Sequence, residues 1–329
     1  MIQYLGLFQF GLLASFGFAI LAALVSLAVY PLVSPMLINL APAQRSNILL
    51  AWLLTPACVG LLFTLLTFTP CLLSIFGIAP DHCSVHDGHL HLCLIHPPLP
   101  ADGMLSSMLI MLLGAVILFF AGIYSLSLVR ACRLHRKLMM ASIQCNERDI
   151  RIVEWDGPLA ISAGVYRMRV FISEQLIRTL TSQQLDVVLA HERKHAQRKD
   201  ALRTLLGHAF SFAHIPWLRK RLLADMDLAC EQACDEAAAN KTRDRLHVAD
   251  TIVSIERMFI RQRPTFMALS ISGSNITQRV ESLLHKPAAE LSFWQSYLTF
   301  VGLVLLIAAF ASTEELHHHT ESILGFLTR

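Results

Sequence analysis

No Asp, Glu, Lys or Arg precedes Arg45, and none lies between Ser46 and Pro80, between Gly103 and Val129, or between Leu291 and Thr313. Four such gaps exclude a disordered chain and an ordinary soluble one, because both need charge spread along the sequence to stay in water. Charged residues make up only 16% of the 329, while 54% belong to the hydrophobic set. Mean hydropathy is +0.53, more apolar surface than one compact core can hide. A net charge of +3 is also too small to point to nucleic acid as a direct partner.

The charge that exists is concentrated. Met1 to Val129 carries four charged residues and Leu291 to Arg329 another four, so 43 of the 51 lie between Arg130 and Glu290. Each uncharged gap exceeds the roughly 20 apolar residues that a membrane-spanning helix needs. The expected spans are 9–30, 48–69, 105–129 and 292–312. The first is not expected to be a cleavable signal peptide, since no positive region precedes it and its apolar stretch is too long. The third ends in Arg130-Ala131-Cys132-Arg133-Leu134-His135-Arg136-Lys137. Under the positive-inside rule that end is cytoplasmic. Arg45, between the first two spans, then also falls inside. The expected organisation is three spans over 1–129 with an outer loop at 80–103, a cytosolic domain over 130–290, a fourth span over 291–312 and an outer tail over 313–329. Such a chain belongs in a cytoplasmic (inner) membrane, with Arg near the spans touching anionic lipid.

Within the charged middle, Thr181-Ser182-Gln183-Gln184 has the form of a capping box that opens a helix. Asp186 suits the helix dipole, and Leu185, Val188 and Leu189 keep helical spacing. The helix leads into His191-Glu192-Arg193-Lys194-His195. Two histidines at i and i+4 share a face and can bind one Zn²⁺, and Glu192 is placed to act as general base on a water there. A second, Ala-rich helix contains Glu231 and Asp235 at i and i+4. Glu231 is the expected third ligand, with Asp235 orienting a ligand from behind. Cys230 and Cys234, which flank Glu231, are expected to pack against a neighbouring helix. His208 and His214 need no role beyond core packing.

The run from Pro158 to Asp235 resembles the membrane-embedded metallopeptidases of family M56, which include the bacterial β-lactam sensor-transducers. The matching residues are His191, Glu192 and His195, Asp200 five residues after the second histidine, and Glu231-x-x-Cys234-Asp235. The resemblance implies zinc bound by His191, His195 and Glu231, with Glu192 as catalytic acid/base and Asp200 in support beside Asp235. The implied fold is mainly α: four transmembrane helices, with a gluzincin-like zinc protease domain, helical with a small β edge, between helices 3 and 4. Arg193 and Lys194 depart from pentads that are commonly uncharged, and are expected to face away from the metal. The sensors' penicillin-binding domain is not expected after Ser312, and no S-x-x-K motif occurs in the outer segments.

Leu159 to Phe171 reads as strand, either an edge on which an extended substrate pairs or a short core hairpin. Arg263-Pro264 and the Ser/Gly-rich stretch to Asn275 read as a connector, or as a self-cleavage site. The outer segments hold His82, Cys83, His86, His89, His91, Cys93 and His96, then His317-His318-His319. Cys83 and Cys93 can form a disulfide, or the cysteines and histidines can bind an external zinc or copper ion. Cys58 and Cys71 need only be small apolar fillers. The leading functional expectation is a zinc metalloendopeptidase that turns an external signal into cleavage of a cytosolic protein, by resemblance a transcriptional repressor or the protease itself. A quality-control protease and a non-catalytic metal-binding receptor or scaffold are the rival expectations.

Overall fold

A computed structural model describes residues 2–78, 92–94, 97–98, 104–145, 149–164, 167–262, 273–285, 302 and 313–327. The expected fourth span, the Arg263-Pro264 connector, and Cys83, His82, His86, His89, His91 and His96 therefore lie outside the described residues. The chain is mainly helical with one small sheet. Helices α1 (Ile2–Ile38), α2 (Pro42–Thr67), α3 (Thr69–Ile75) and α4 (Met104–Met140) come first. Strands β1 (Ser142–Cys145), β2 (Ile150–Val153), β3 (Ala160–Ala163) and β4 (Arg169–Ser173) follow. Then come α5 (Glu174–Thr179), α6 (Ser182–Arg198), α7 (Asp200–Phe210), α8 (Pro216–Thr242), α9 (Arg245–Gln262), α10 (Gly273–Leu284) and α11 (Thr313–Leu327).

Three of these helices are long and apolar enough to cross a membrane: Tyr4–Ile38, Pro42–Thr67 and Ser107–Met140. Their outward faces carry Phe8, Leu21, Leu32, Leu61, Leu65, Leu112, Leu118 and Phe119, all exposed. A band of this kind is unfavourable in water and natural in lipid. The helices overrun the expected spans. Helix α4 continues through the basic cluster to Met140, because Arg and Lys end a span without ending a helix. Helices α1 and α2 pack where α2 presents Gly60; a Cβ there would lie 2.5 Å from the Ser15 carbonyl oxygen, so only glycine permits this approach.

The first turns of α2 are covered by protein. Leu49 and Leu53 are fully buried with Tyr30 of α1 against Leu218, Leu222 and Met226 of α8. The helical domain is thus docked on the near ends of α1 and α2 through a shared apolar core. Burying six such side chains contributes on the order of 10 kcal/mol before entropy is counted.

The sheet order is β1-β2-β4-β3. Strands β1 and β2 are antiparallel, β2 and β4 parallel, and β3 and β4 form an antiparallel hairpin with Ile161 opposite Phe171. Val170, Phe171 and Ile172 are all buried, a continuous apolar run that suits the strand covered on both faces. One face receives Leu176, Leu185, Val188 and Leu189 from α5 and α6, the other Leu138 from α4. Of the two readings of 159–171, edge or short hairpin, the hairpin is found within a larger sheet, and its strand β3 lies at the sheet's edge. The hairpin leaves β3 through Gly164, whose φ of +131° is strained for any other residue.

Candidate metal centre

Helix α6 starts as its sequence demands. The Thr181 hydroxyl accepts the Gln184 N–H at 3.3 Å, and the Gln184 side chain accepts the Thr181 N–H at 3.2 Å. Losing such a cap costs about 1 kcal/mol. Leu185, Val188 and Leu189 face the sheet, while Val187 and Ala190 face Ala238 and Ala239 of α8. Those alanines let the two helices cross closely. The last turns of α6 therefore lie beside Glu231 and Asp235 of α8, and His191 and His195 project into that crossing.

The Nε2 atoms of His191 and His195 are 3.0 Å apart. Glu231 places one carboxylate oxygen 3.4 Å from His195 Nε2 and the other 3.6 Å from His191 Nε2. Behind them, His191 Nδ1 meets Asp235 Oδ1 at 2.9 Å and His195 Nδ1 meets Asp200 Oδ2 at 2.9 Å. A carboxylate can only accept, so each Nδ1 is the protonated donor and each neutral ring offers a lone pair at Nε2. Two lone pairs and a carboxylate then converge with no proton among them, an arrangement that a cation relieves. Tetrahedral zinc with bonds of about 2.0–2.1 Å keeps its ligand atoms about 3.3 Å apart. The separations of 3.0–3.6 Å fit that spacing. Three protein ligands also leave a coordination position for substrate or water.

A second grouping, His195 with Asp200 and Cys234, is equally compact. Burial pushes its Cys234 thiol up to about 11 despite the opposing His195, so a metal bound there would have to displace a proton held more tightly than usual.

In the metal-free arrangement the imidazoles take up protons instead. Burial alone lowers the His191 pKa, but Asp235 and Glu231 outweigh it and raise it to about 9. Burial likewise opposes ionisation of Glu231, and the two imidazoles with Arg279 overcome this and hold its carboxyl well below the usual range. Asp200 and Asp235 are also held low, against burial, by their histidine and arginine partners.

Sequence reasoning placed Asp200 near the site without a mechanism, and the turn supplies one. Lys199 adopts the left-handed conformation (φ 56°, ψ 44°), which ends α6 and starts α7 at Asp200. The reversal folds Asp200 back onto His195. Glu192 follows His191 on α6 and is half-buried, as are Arg193 and Lys194. Cys230 and Cys234 are buried beside Arg198 and Asp200 respectively, and His214 is buried with Nε2 3.2 Å from the Trp52 carbonyl oxygen.

Three contributors escaped the sequence reading. Arg279 of α10 forks onto both Asp235 oxygens at 2.7 Å and reaches Glu231 at 3.0 Å. Arg198 donates to Asp200 at 3.1 Å and to the Ser46 hydroxyl, at the start of α2, at 2.6 Å. Arg45, also on α2, donates to the side-chain carbonyl of Gln232, the residue after Glu231. Basic residues at 198 and 203 around Asp200 were a visible hint; nothing in the pattern marked Arg279 or Ser46. A cavity of about 590 Å³ opens on the neighbouring face of α8, that of Asp225, Gln232 and Glu236, and includes none of the three converging donors.

No curated protein and no solved structure matches the chain. Residues 101–283, more than half of its length, match the family model described as BlaR1 peptidase M56, and the chain belongs to that family of membrane-associated metallopeptidases.

Proposed function

We propose that this protein is a zinc metalloendopeptidase of the cytoplasmic membrane, with its protease domain (130–290) in the cytosol between a third and a fourth span. The observation that carries the reading is the convergence of His191 Nε2, His195 Nε2 and Glu231, each imidazole backed by its own aspartate. These three residues would hold the ion. A zinc ion bound there supplies Lewis acidity towards a peptide carbonyl and makes an attacking water easier to deprotonate. Glu192 then takes that water's proton on its carboxylate and delivers it to the departing amine nitrogen. Asp200 and Asp235 keep both imidazoles in the tautomer that presents Nε2. Strand β3 pairs with β4 on one side only among the described residues and lies beside α6. Its outer edge suits an extended peptide that adds a strand by backbone hydrogen bonds.

The orientation rests on the basic cluster of α4, which leads straight into β1. A fourth crossing is supported by the two ends of the chain's last described parts. Leu283 of α10 accepts from Arg245 at the domain end, whereas His317 of α11 bonds the Thr67 carbonyl at the far end of α2. The stretch between them contains the uncharged run Leu291–Thr313. Transduction of an external signal is supported by α2 itself. Its first residues touch the groups behind the site, through Ser46–Arg198–Asp200–His195 and Arg45–Gln232. The substrate is then a cytosolic protein, a repressor or the protease itself in the reading that its family resemblance favours.

Two variants test the centre. Glu192→Gln is expected to retain stoichiometric zinc and lose peptide cleavage by about 10²–10⁴-fold or more. His191→Ala is expected to lose the zinc. Cleavage by Glu192→Gln at the wild-type rate removes the mechanism.

A further inference from the structure

At the opposite end of the membrane helices a second buried cluster has no part in the peptidase reaction. Cys71 of α3 and Cys93 of the 92–94 segment face each other with their sulfur atoms 3.0 Å apart. Both are buried, at 4% and 1% exposure. Two sulfur atoms that share no bond do not settle this closely, and a small rotation of either side chain brings them to the about 2.05 Å of a disulfide. The pairing is held from both sides. The Leu94 N–H points at Cys71 Sγ at 3.1 Å, and the Leu92 N–H donates to Glu321 Oε1 of α11 at 2.6 Å. Leu92 itself packs against Phe10, Ala14 and Leu324. The segment carrying Cys93 is thus clamped on α1, α3 and α11 so that its thiol meets Cys71. The expected partner of Cys93, Cys83, lies outside the described residues, and Cys71 is more than a filler of its helix.

We propose that Cys71 and Cys93 form a structural disulfide on the side of the membrane away from the protease domain, closed during folding by a disulfide-bearing oxidant. One cysteine thiolate attacks the oxidant's disulfide, forming a mixed disulfide and expelling one oxidant thiolate. The second cysteine thiolate then displaces the other oxidant sulfur. Two protons and two electrons leave the pair, and the oxidant departs as a dithiol. The oxidising compartment that such an exchange needs is the one assigned to this end by the orientation proposed above. Once closed, the bridge ties the outer loop to the end of α2–α3, and burial shelters it from reductants.

The test is thiol mapping of the full-length protein in membranes. Intact cells are quenched in acid, thiols are alkylated under denaturing conditions, and the unreduced digest is analysed by mass spectrometry. The expected result is a Cys71 peptide joined to a Cys93 peptide, two hydrogens lighter than their sum, that survives in a Cys83→Ser chain and is absent from Cys71→Ser. The bridge should resist reductant in native membranes and open after denaturation. Alkylation of both cysteines without prior reduction overturns the proposal, as does a Cys83–Cys93 link or a pair that becomes alkylatable only after metal chelation. The mapping requires no proteolysis and is repeated on the Glu192→Gln chain, so its outcome is separate from that of the peptidase reading.

Discussion

Among the described residues, histidines and carboxylates meet at both ends of this molecule, and of these two meetings one is arranged for a metal. Where α6 crosses α8, each imidazole commits Nδ1 to an aspartate and leaves Nε2 aimed at the other donors. At the far end, His317 of α11 engages the Thr67 carbonyl through Nδ1 at 2.6 Å and Glu321 through Nε2 at 3.0 Å. Both of those ring nitrogens must donate, so His317 is an imidazolium with no lone pair to offer. Burial works against that charge, but Glu321 outweighs it and raises the pKa. Eight of the fifteen histidines lie in the segments read as external. The contrast teaches that a histidine's partner at its second nitrogen decides between ligand and clamp, and histidine content alone does not.

The comparison breaks most sharply under substitution. Glu231→Ala is expected to abolish zinc binding and cleavage together. His317→Gln is expected to leave zinc content and turnover unchanged while removing about 1–3 kcal/mol of stability, because buried acceptors lose their donor. Metal analysis and thermal melts on both variants decide it; zinc loss in His317→Gln would erase the distinction. One level further out, Asp200→Asn and Asp235→Asn should each weaken zinc by about 10–100-fold, read by competition with a chromophoric chelator. An unchanged affinity would mean that the aspartates do not set the imidazole tautomers.

Protons provide a smaller, graded version of the same contrast. The metal-free His191 keeps its proton up to about 9, above its ordinary 6.5. A raised value in the folded state means that the stability from its carboxylate contacts is complete below 6.5 and is lost as the pH climbs through 9. Zinc must displace that proton, so His191 alone should make its affinity rise between those two pH values by up to about tenfold per unit. Chelator competition across that range checks the slope, and a flat profile contradicts it.

Much of the centre was legible because it is local. A capping box, helical spacing and a His pair at i, i+4 all lie within one segment, and Glu231 and Asp235 repeat the same spacing on the next long helix. The three helices long and apolar enough to cross a membrane were legible for a similar reason, since absence of charge is a property of each segment alone. What escaped depends on contacts distant in sequence. Arg279 reaches Asp235 across 44 residues and Arg198 reaches Ser46 across 152, and no periodicity encodes such pairs. Strands β1 and β2 have only four residues each, too short for alternation to register. The Cys71–Cys93 encounter was hidden because Cys71 sits in an apolar helix where a small residue needs no other reason.

The finest test concerns how Asp200 reaches His195 at all. Lys199 is one of three described non-glycine residues with positive φ, a conformation that costs roughly 1–2 kcal/mol when a Cβ is present. Its own side chain is exposed, so the turn rather than the ammonium group delivers the aspartate. Lys199→Gly should therefore raise stability by up to about 1 kcal/mol, partly offset by the greater freedom of glycine in the unfolded chain, with zinc affinity unchanged. Lys199→Val, whose branched Cβ resists the left-handed region, should lower both stability and zinc affinity. Equal zinc affinity in the glycine and valine chains would show that Asp200 finds His195 without this reversal, and would leave α7 itself, held through Arg203 to Asn47 of α2, as the element that positions it.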